Sequence, residues 1–250
     1  MPKHVFLVTL HTKKTVFGIS WMFDNEEVLD NLSELASALS VEERRQVAMH
    51  MVVRTFEKNE TIYSEGDEPL NLLCLLKGKV KIYKEGVGGR SQIVRVVRPV
   101  EYFGYRAAFS DENYVTGASA FEASTVVIIP MRLIFSITDR NAHLCNFFIR
   151  KLAKALGKSD ERTVNLTQKH IRGRLAESIL FLKENYGVEG DGCTLSIYLS
   201  REDMANLSNM TTSNAIRTLS LFAQEKMIAI DGRKIKIINE EALRKTSEIG

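Results

Sequence analysis

Residues 199–219 read LSREDMANLSNMTTSNAIRTL, and the fold of the C-terminal part of the chain turns on them. Ser200 stands before Arg201-Glu202-Asp203, an N-cap with an acid three residues on. Met204, Ala205 and Ser208 come next, apolar or small, so one face of this first helix can pack closely. Asn209 falls where a tight turn needs a residue that tolerates positive φ, and Met210 can fill the angle beyond it. Thr211 then caps a second helix whose inner face is Ala215, Thr218, Leu219 and Phe222. Its outer face offers Thr212, Ser213, Asn214 and Arg217, short polar groups plus one long cation. That set of side chains reaches base edges in a major groove, so the expected ligand is duplex DNA.

A helix pair alone is also consistent with an ordinary helical hairpin. The next segment of the chain narrows the reading. Residues 225–230, EKMIAI, lead through Asp231-Gly232 into residues 233–238, RKIKII. Asp-Gly between two alternating apolar runs predicts a β-hairpin. Arg233, Lys234 and Lys236 lie at or beside its turn. A helix pair joined directly to a basic hairpin is a winged helix-turn-helix, with the wing's cations expected along phosphates. The candidate DNA-binding residues are Ser200, Thr211, Thr212, Ser213, Asn214 and Arg217, with Arg233 and Lys234 on the wing.

The 250 residues suffice for one large domain or two ordinary ones. Hydrophobic content of 44% and charged content of 26% are those of a globular protein. The net charge of +3 excludes a polybasic nucleic-acid coat. Residues 201–238 hold six cations and four acids, a local bias rather than a strong field, so DNA binding would lean on geometry and on pairing of two chains. Cys74, Cys145 and Cys193 stand far apart and are odd in number, which argues against a disulfide framework or a metal site and fits a reducing cytoplasm. No apolar run is long enough to span a bilayer. The start, MPKHVFLVTLHTKKTVFGISW, is interrupted by His11, Lys13 and Lys14 and lacks a small-residue cleavage site. Residues 1–21 are expected to be a poorly ordered extension or an artefact of start assignment, with folded protein from Met22.

Residues 26–55 read as helical: Leu29, Leu32, Leu35, Ala36 and Leu39 recur at helical spacing, and Ser40 with Glu43 opens a further short helix through a capping box. From Phe56 to about Ile137 short β-rich runs alternate with turn residues, at 61–63, 72–76, 80–83, 93–97 and 126–129. Such close spacing predicts a β-roll or barrel. Between Leu144 and Leu166 the period is helical again. Phe148, Leu152, Leu156, Ser159, Thr163 and Leu166 fall on one narrow stripe, expected to be a homodimer seam of coiled-coil type. The same stripe can also rest on the chain's own roll. A further amphipathic helix is expected from Ile171 to Tyr186, and a short strand from Thr194 to Leu199.

The order β-roll, long helix, winged helix-turn-helix resembles the Crp/Fnr family, the cyclic-AMP receptor protein-like transcription regulators of bacteria. The resemblance covers about residues 25–238 and is carried by Glu65-Gly66-Asp67, residues 76–80 (LKGKV), Phe103-Gly104, Gly173-Arg174-Leu175-Ala176, and residues 199–219. It implies an α+β chain in four parts: an extension (1–21), an effector-sensing, cyclic-nucleotide-binding-like β-roll domain with N-terminal helices (22–142), a long dimerisation helix (143–170) and a winged helix-turn-helix domain (171–250). It also implies a cytoplasmic homodimer on an inverted-repeat operator, RNA polymerase as a partner, and a small effector in the roll.

The resemblance places the effector pocket at Phe103, Gly104, Tyr105, Arg106, Val115, Thr116, Ser159 and Asp160. In cyclic-AMP receptors this loop carries Phe-Gly-Glu-Leu and later Arg-Ser. Here Tyr105 replaces the ribose-binding carboxylate and Val115 the phosphate-binding arginine, while Asp160 alters the contact to the adenine. A buried phosphate without a cation is costly, so cyclic AMP is not expected. Arg106 is the substitute anchor if it points inward, and otherwise a solvated cation. Iron–sulfur branches use clustered N-terminal cysteines, and Cys74 is the first here, so no cluster is expected. His143, Cys145 and His170 are the residues a haem-sensing branch would use, and lone helical histidines are more often structural. On the recognition helix the family's starting Arg-Glu is Thr212-Ser213, and only the later Arg217 is retained, so the operator should differ from the cyclic-AMP receptor site. No phosphate loop, nucleophile elbow or His-Glu metal pair supports an enzyme. Two other readings remain at this point, a haem or gas sensor on the same scaffold, and a sensing module whose winged helix contacts protein.

Overall fold

The structure, a computed structural model, describes residues 25–86 and 91–249. The expected extension at 1–21 and the start at Met22 lie outside the described residues. Three short helices open the chain: α1 (Asn25–Asn31), α2 (Ser33–Ala36) and α3 (Val41–His50). The α3 start is a complete capping box, with the Ser40 hydroxyl accepting from Glu43 N and the Glu43 carboxylate from Ser40 N.

The helical reading fails at residue 52. Met51 is extended, and β1 (Val52–Phe56) pairs antiparallel with residues 124–128, from Val52↔Ile128 to Phe56↔Ser124. Val-Val-Arg-Thr-Phe is β-favouring, and the sheet edge supplies its backbone partners. The roll continues with β2 (Thr61–Tyr63), β3 (Asn71–Lys77), β4 (Val80–Glu85), β5 (Ser91–Val97), β6 (Tyr102–Phe103), the short α4 (Tyr105–Phe109), β7 (Gly117–Ala120) and β8 (Ser124–Pro130). These strands make two four-stranded sheets, β1-β8-β3-β6 and β2-β7-β4-β5. Phe56, Tyr63, Leu75, Val80, Val97, Phe103, Ala118 and Val126 form the core between them.

The other face of the first sheet is covered by the N-terminal helices, by α5 (Met131–Thr138) and by the first turns of α6 (Ala142–Gln168). Asn141 starts α6: its Oδ1 accepts from His143 N and Leu144 N, and its Nδ2 donates to Glu43 Oε2 at 2.7 Å. One side chain therefore caps the long helix and ties it to α3.

The C-terminal part comprises α7 (Ile171–Tyr186), α8 (Arg201–Leu207), α9 (Thr212–Gln224), the hairpin β9 (Ile228–Asp231) with β10 (Lys234–Ile237), and α10 (Glu240–Ile249) lying on α7. The strand expected at 194–199 is reduced to two single bridges, Thr194 to Lys236 and Leu195 to Val188. Ile93 and Val96 of β5 join the apolar core of this domain beside Leu175, Met204 and Leu207.

Candidate nucleic-acid interface

The helix pair is set by its caps. The Thr211 hydroxyl accepts from Asn214 N and starts α9, and Asn209 takes φ 49° in the turn before it. Met210 is buried in the angle. Ala215, Thr218, Leu219 and Phe222 are the buried residues of α9. Thr212, Ser213 and Arg217 are exposed and Asn214 is half-buried, all clear of that inner face. Arg217 Nη2 donates to Asn214 Oδ1 at 3.2 Å, so the long cation is aimed by its neighbour one turn back.

Ser200 stands apart from this set. Its hydroxyl accepts from Asp203 N at 2.9 Å and donates to Asp203 Oδ2 at 2.7 Å, which commits it to the start of α8. Gly232 takes φ 55° in the wing turn, the conformation its Asp-Gly signal requires. Arg201, absent from the sequence-derived set, donates from Nη2 to Gly232 O at 2.7 Å and ties the wing to the first helix. Nothing in its surface-like position after a cap distinguished it. Lys234 faces Glu189 at 3.5 Å and Tyr198, and Lys236 faces Asp191 at 3.6 Å. Bonds from Thr194 and Cys193 hold the Asp191 carboxyl well below the usual carboxylate range. Arg233 is exposed and has no ion pair among the described residues, so it is the wing cation freest to meet a phosphate.

The long helix divides unevenly. Phe148, expected in the seam, is only 2% exposed and sits in the roll's aromatic cluster with Tyr105, Phe109 and Phe147. That is a correction: its ring is consumed by its own chain. Ile149 is 60% exposed and Leu156 is 64% exposed, and they lie seven residues apart. With half-buried Leu152 and exposed Ser159 and Thr163 they make a stripe at alternating spacings of three and four. The side chain of Leu166 lies outside the described residues.

The expected effector residues do not converge. Phe103 is in the roll core, Tyr105 is in the aromatic cluster, and Arg106, Val115, Ser159 and Asp160 are exposed. Gly104 has φ 84° at the start of α4, where a Cβ would meet Tyr114 Oη at 3.0 Å. Thr116 is half-buried and bonds the Tyr63 side chain. Tyr63 stacks on Tyr114 with centroids 3.8 Å apart, and burial pushes its hydroxyl up to about 12. Tyr83 lies where a Cβ on Gly117 would be, at 2.9 Å. Tyr63 and Tyr114 thus pack as a stacked pair in the roll core beside the α4 start, while Tyr83 covers its cross-strand partner Gly117. The residues present do not fit a cyclic nucleotide held by a carboxylate and an arginine. The Cys145 thiol donates to Thr138 O, while His143 and His170 are exposed. Among the described residues no three His, Cys, Asp or Glu side chains cluster for a metal ion.

Residues 53–141 match the cyclic nucleotide-binding domain family, and residues 173–246 match the Crp-like helix-turn-helix domain. The chain belongs to the Crp/Fnr family. Among curated Crp/Fnr-like relatives, the global nitrogen regulator of Nostoc is 28% identical over 74% of this chain and 85% of its own length. The CRP-like cAMP-activated global transcriptional regulator of Mycobacterium tuberculosis is 23% identical, over 75% of this chain and 84% of that protein. The fumarate and nitrate reduction regulatory protein of Salmonella typhimurium is 24% identical, over 88% and 82%. A Crp/Fnr transcriptional regulator structure from Eubacterium rectale superposes with a TM-score of 0.74 at 16% identity, covering 86% of this chain and 97% of that one. FixK2 of Bradyrhizobium japonicum gives 0.71 at 21% identity, covering 78% and 96%. At those identities the structures show the Crp/Fnr fold alone. The family assignment makes this protein a transcription regulator with a DNA-binding helix-turn-helix, in keeping with the capped α9 and its polar outer face.

Proposed function

We propose that this protein acts in the cytoplasm as a homodimer that reads an inverted-repeat operator, under the control of a small effector other than cyclic AMP. The observation that carries the proposal is α9: a capped helix with a buried inner face and an outer face of Thr212, Ser213, Asn214 and the Asn214-aligned Arg217. Arg217 supplies a guanidinium for the O6 and N7 acceptors of guanine, and Arg233 of the wing supplies a phosphate contact. The Ile149–Leu156 stripe supports pairing of two long helices, which would present two recognition helices about 34 Å apart, one turn of DNA. The tyrosine-filled roll supports an effector smaller than a nucleotide, or one that displaces a ring. RNA polymerase is the partner through which a bound dimer would act.

The test is selection of bound duplexes from a random pool, then affinity across a salt series. Enrichment of a palindrome with half-sites about 10 base pairs apart is expected. Failure to enrich any sequence, with no salt-dependent duplex affinity, overturns the reading in favour of a protein-contact module.

A further inference from the structure

Arg162 lies about three-quarters of the way along α6 and is half-buried. Its Nη2 donates to Ile93 O at 2.5 Å and to Leu207 O at 3.3 Å, and its Nη1 donates to Val94 O at 2.8 Å. Three elements therefore meet on one guanidinium: the long helix, strand β5 of the sensor roll, and the end of α8. Leu207 is the last residue of α8, where carbonyls have no partner within the helix and a cation is favoured. A guanidinium is a rigid fork of donors, so it holds those carbonyls at fixed relative positions, which a flexible ammonium does not. The neighbouring acid, Glu177, is turned to Lys169 at 3.1 Å and to Asn165, so the bonds that Arg162 makes are to backbone.

The other end of α8 is also held by the roll. Lys81 Nζ of β4 meets Asp203 Oδ1 at 2.9 Å in the first turn of α8. Between these two points β5 lies against α8, and Ile93 and Val96 share one apolar core with Met204 and Leu207. The helix that supports the recognition helix is thus held by the sensor domain at its first and last turns. The covalent route between the domains, by contrast, is only the extended pair Lys169 and His170 between α6 and α7.

We propose that Arg162 is the positioning residue that sets the DNA-binding domain on the sensor roll, so that a displacement of the long helix or of β5 reaches α8 through its guanidinium rather than through the Lys169–His170 joint. The inference needs neither the effector nor the operator, so its failure would leave the DNA-binding proposal standing.

Amide hydrogen exchange and calorimetric unfolding of the full chain test it. In Arg162→Ala, residues 91–97 and 203–210 are expected to gain exchange together by about tenfold, while α9 and β3 keep their protection. Arg162→Lys keeps the charge without the fork and should fall between the two. The parent should unfold in one transition, and Arg162→Ala should split it into a roll step and a helix-turn-helix step. Lys81→Met removes only the ion pair at the far end of α8. It should raise exchange a few-fold at 80–83 and 203–206 alone. The proposal is overturned by unchanged exchange in α8, by an even rise over the whole chain, by a single transition that persists in Arg162→Ala, or by full rescue in Arg162→Lys.

Discussion

Replacing Arg217 by Ala separates reading of bases from simple attraction to DNA. The side chain is exposed, and its guanidinium bonds to Asn214 of the same helix. The inner face of α9 and the Thr211 cap do not involve it, so the variant should melt with the parent to within about 0.5 kcal/mol, the usual span for surface changes. A bidentate contact to guanine is worth about 1–3 kcal/mol. That corresponds to a loss of about 5- to 150-fold per half-site, and the square of that for a palindrome bound by two chains. The assay is a titration of the selected duplex and of a scrambled duplex, each across a salt series. The operator should lose affinity and the scrambled duplex should not, with preference relaxed at one base pair. Arg233→Ala should do the opposite, weakening both duplexes alike and lowering the salt slope by about one phosphate. Lys234→Ala should do less than Arg233→Ala, because Glu189 already neutralises part of its charge. Equal loss on both duplexes in Arg217→Ala would refute the base-reading role.

Two residues of α6 should behave oppositely: Phe148→Ala should cost about 3–5 kcal/mol of roll stability at any protein concentration, whereas Leu156→Asp should leave the protomer's melt intact and abolish the dimer in sedimentation. A compact parent monomer at micromolar concentration would refute the pairing. Burial raises the Glu43 carboxyl, but bonds from Ser40 and Asn141, with Arg140 nearby, outweigh it and leave the group below its ordinary value of 4.5. The stability it contributes is present above 4.5 and lost as pH falls through the lower folded value, so Glu43→Gln should be destabilised most at neutral pH and converge on the parent in acid; a pH-independent difference in melting temperature would refute this. Calorimetric titration with cyclic AMP should be flat, and a micromolar Kd would show that the tyrosine-filled roll opens for it.

The helix-turn-helix was legible because its signals are local. A cap, a positive-φ asparagine and a 3.6-residue inner face each act within one or two turns, and Ser200, Asn209 and Thr211 do what their types suggest. The seam was only partly legible. Spacings of three and four do not separate Phe148 from Ile149, because the start of α6 is apolar on two sides, one turned to the roll and one outward. Only the position of the roll decides which is which. Strand β7 is Gly-Ala-Ser-Ala, with no β-branched residue, and is buried throughout between β2 and β4, with the Tyr83 ring lying where a side chain at Gly117 would be. Its small residues carry no β-favouring signal and its partners β2 and β4 lie far off in sequence, so no local pattern announced it. The expected effector positions were drawn from a resemblance, and the bulk of Tyr63 and Tyr114 could not be weighed until the sheets were closed around them.

The sharing of Ile93 and Val96 between the roll's strand and the C-terminal core bears on how such chains can be recombined. A cut at the α6–α7 joint looks clean along the chain, but it strips two aliphatic side chains from the C-terminal core. A fragment starting at residue 171 would expose Met204 and Leu207 to water and should be prone to self-association. A graft of this reading head onto a foreign sensor would succeed only if the new strand supplied matching methyl groups at those two places. The pair is therefore less modular than its two separable sequence families suggest, and shuffling between relatives is constrained by one strand that belongs to both halves.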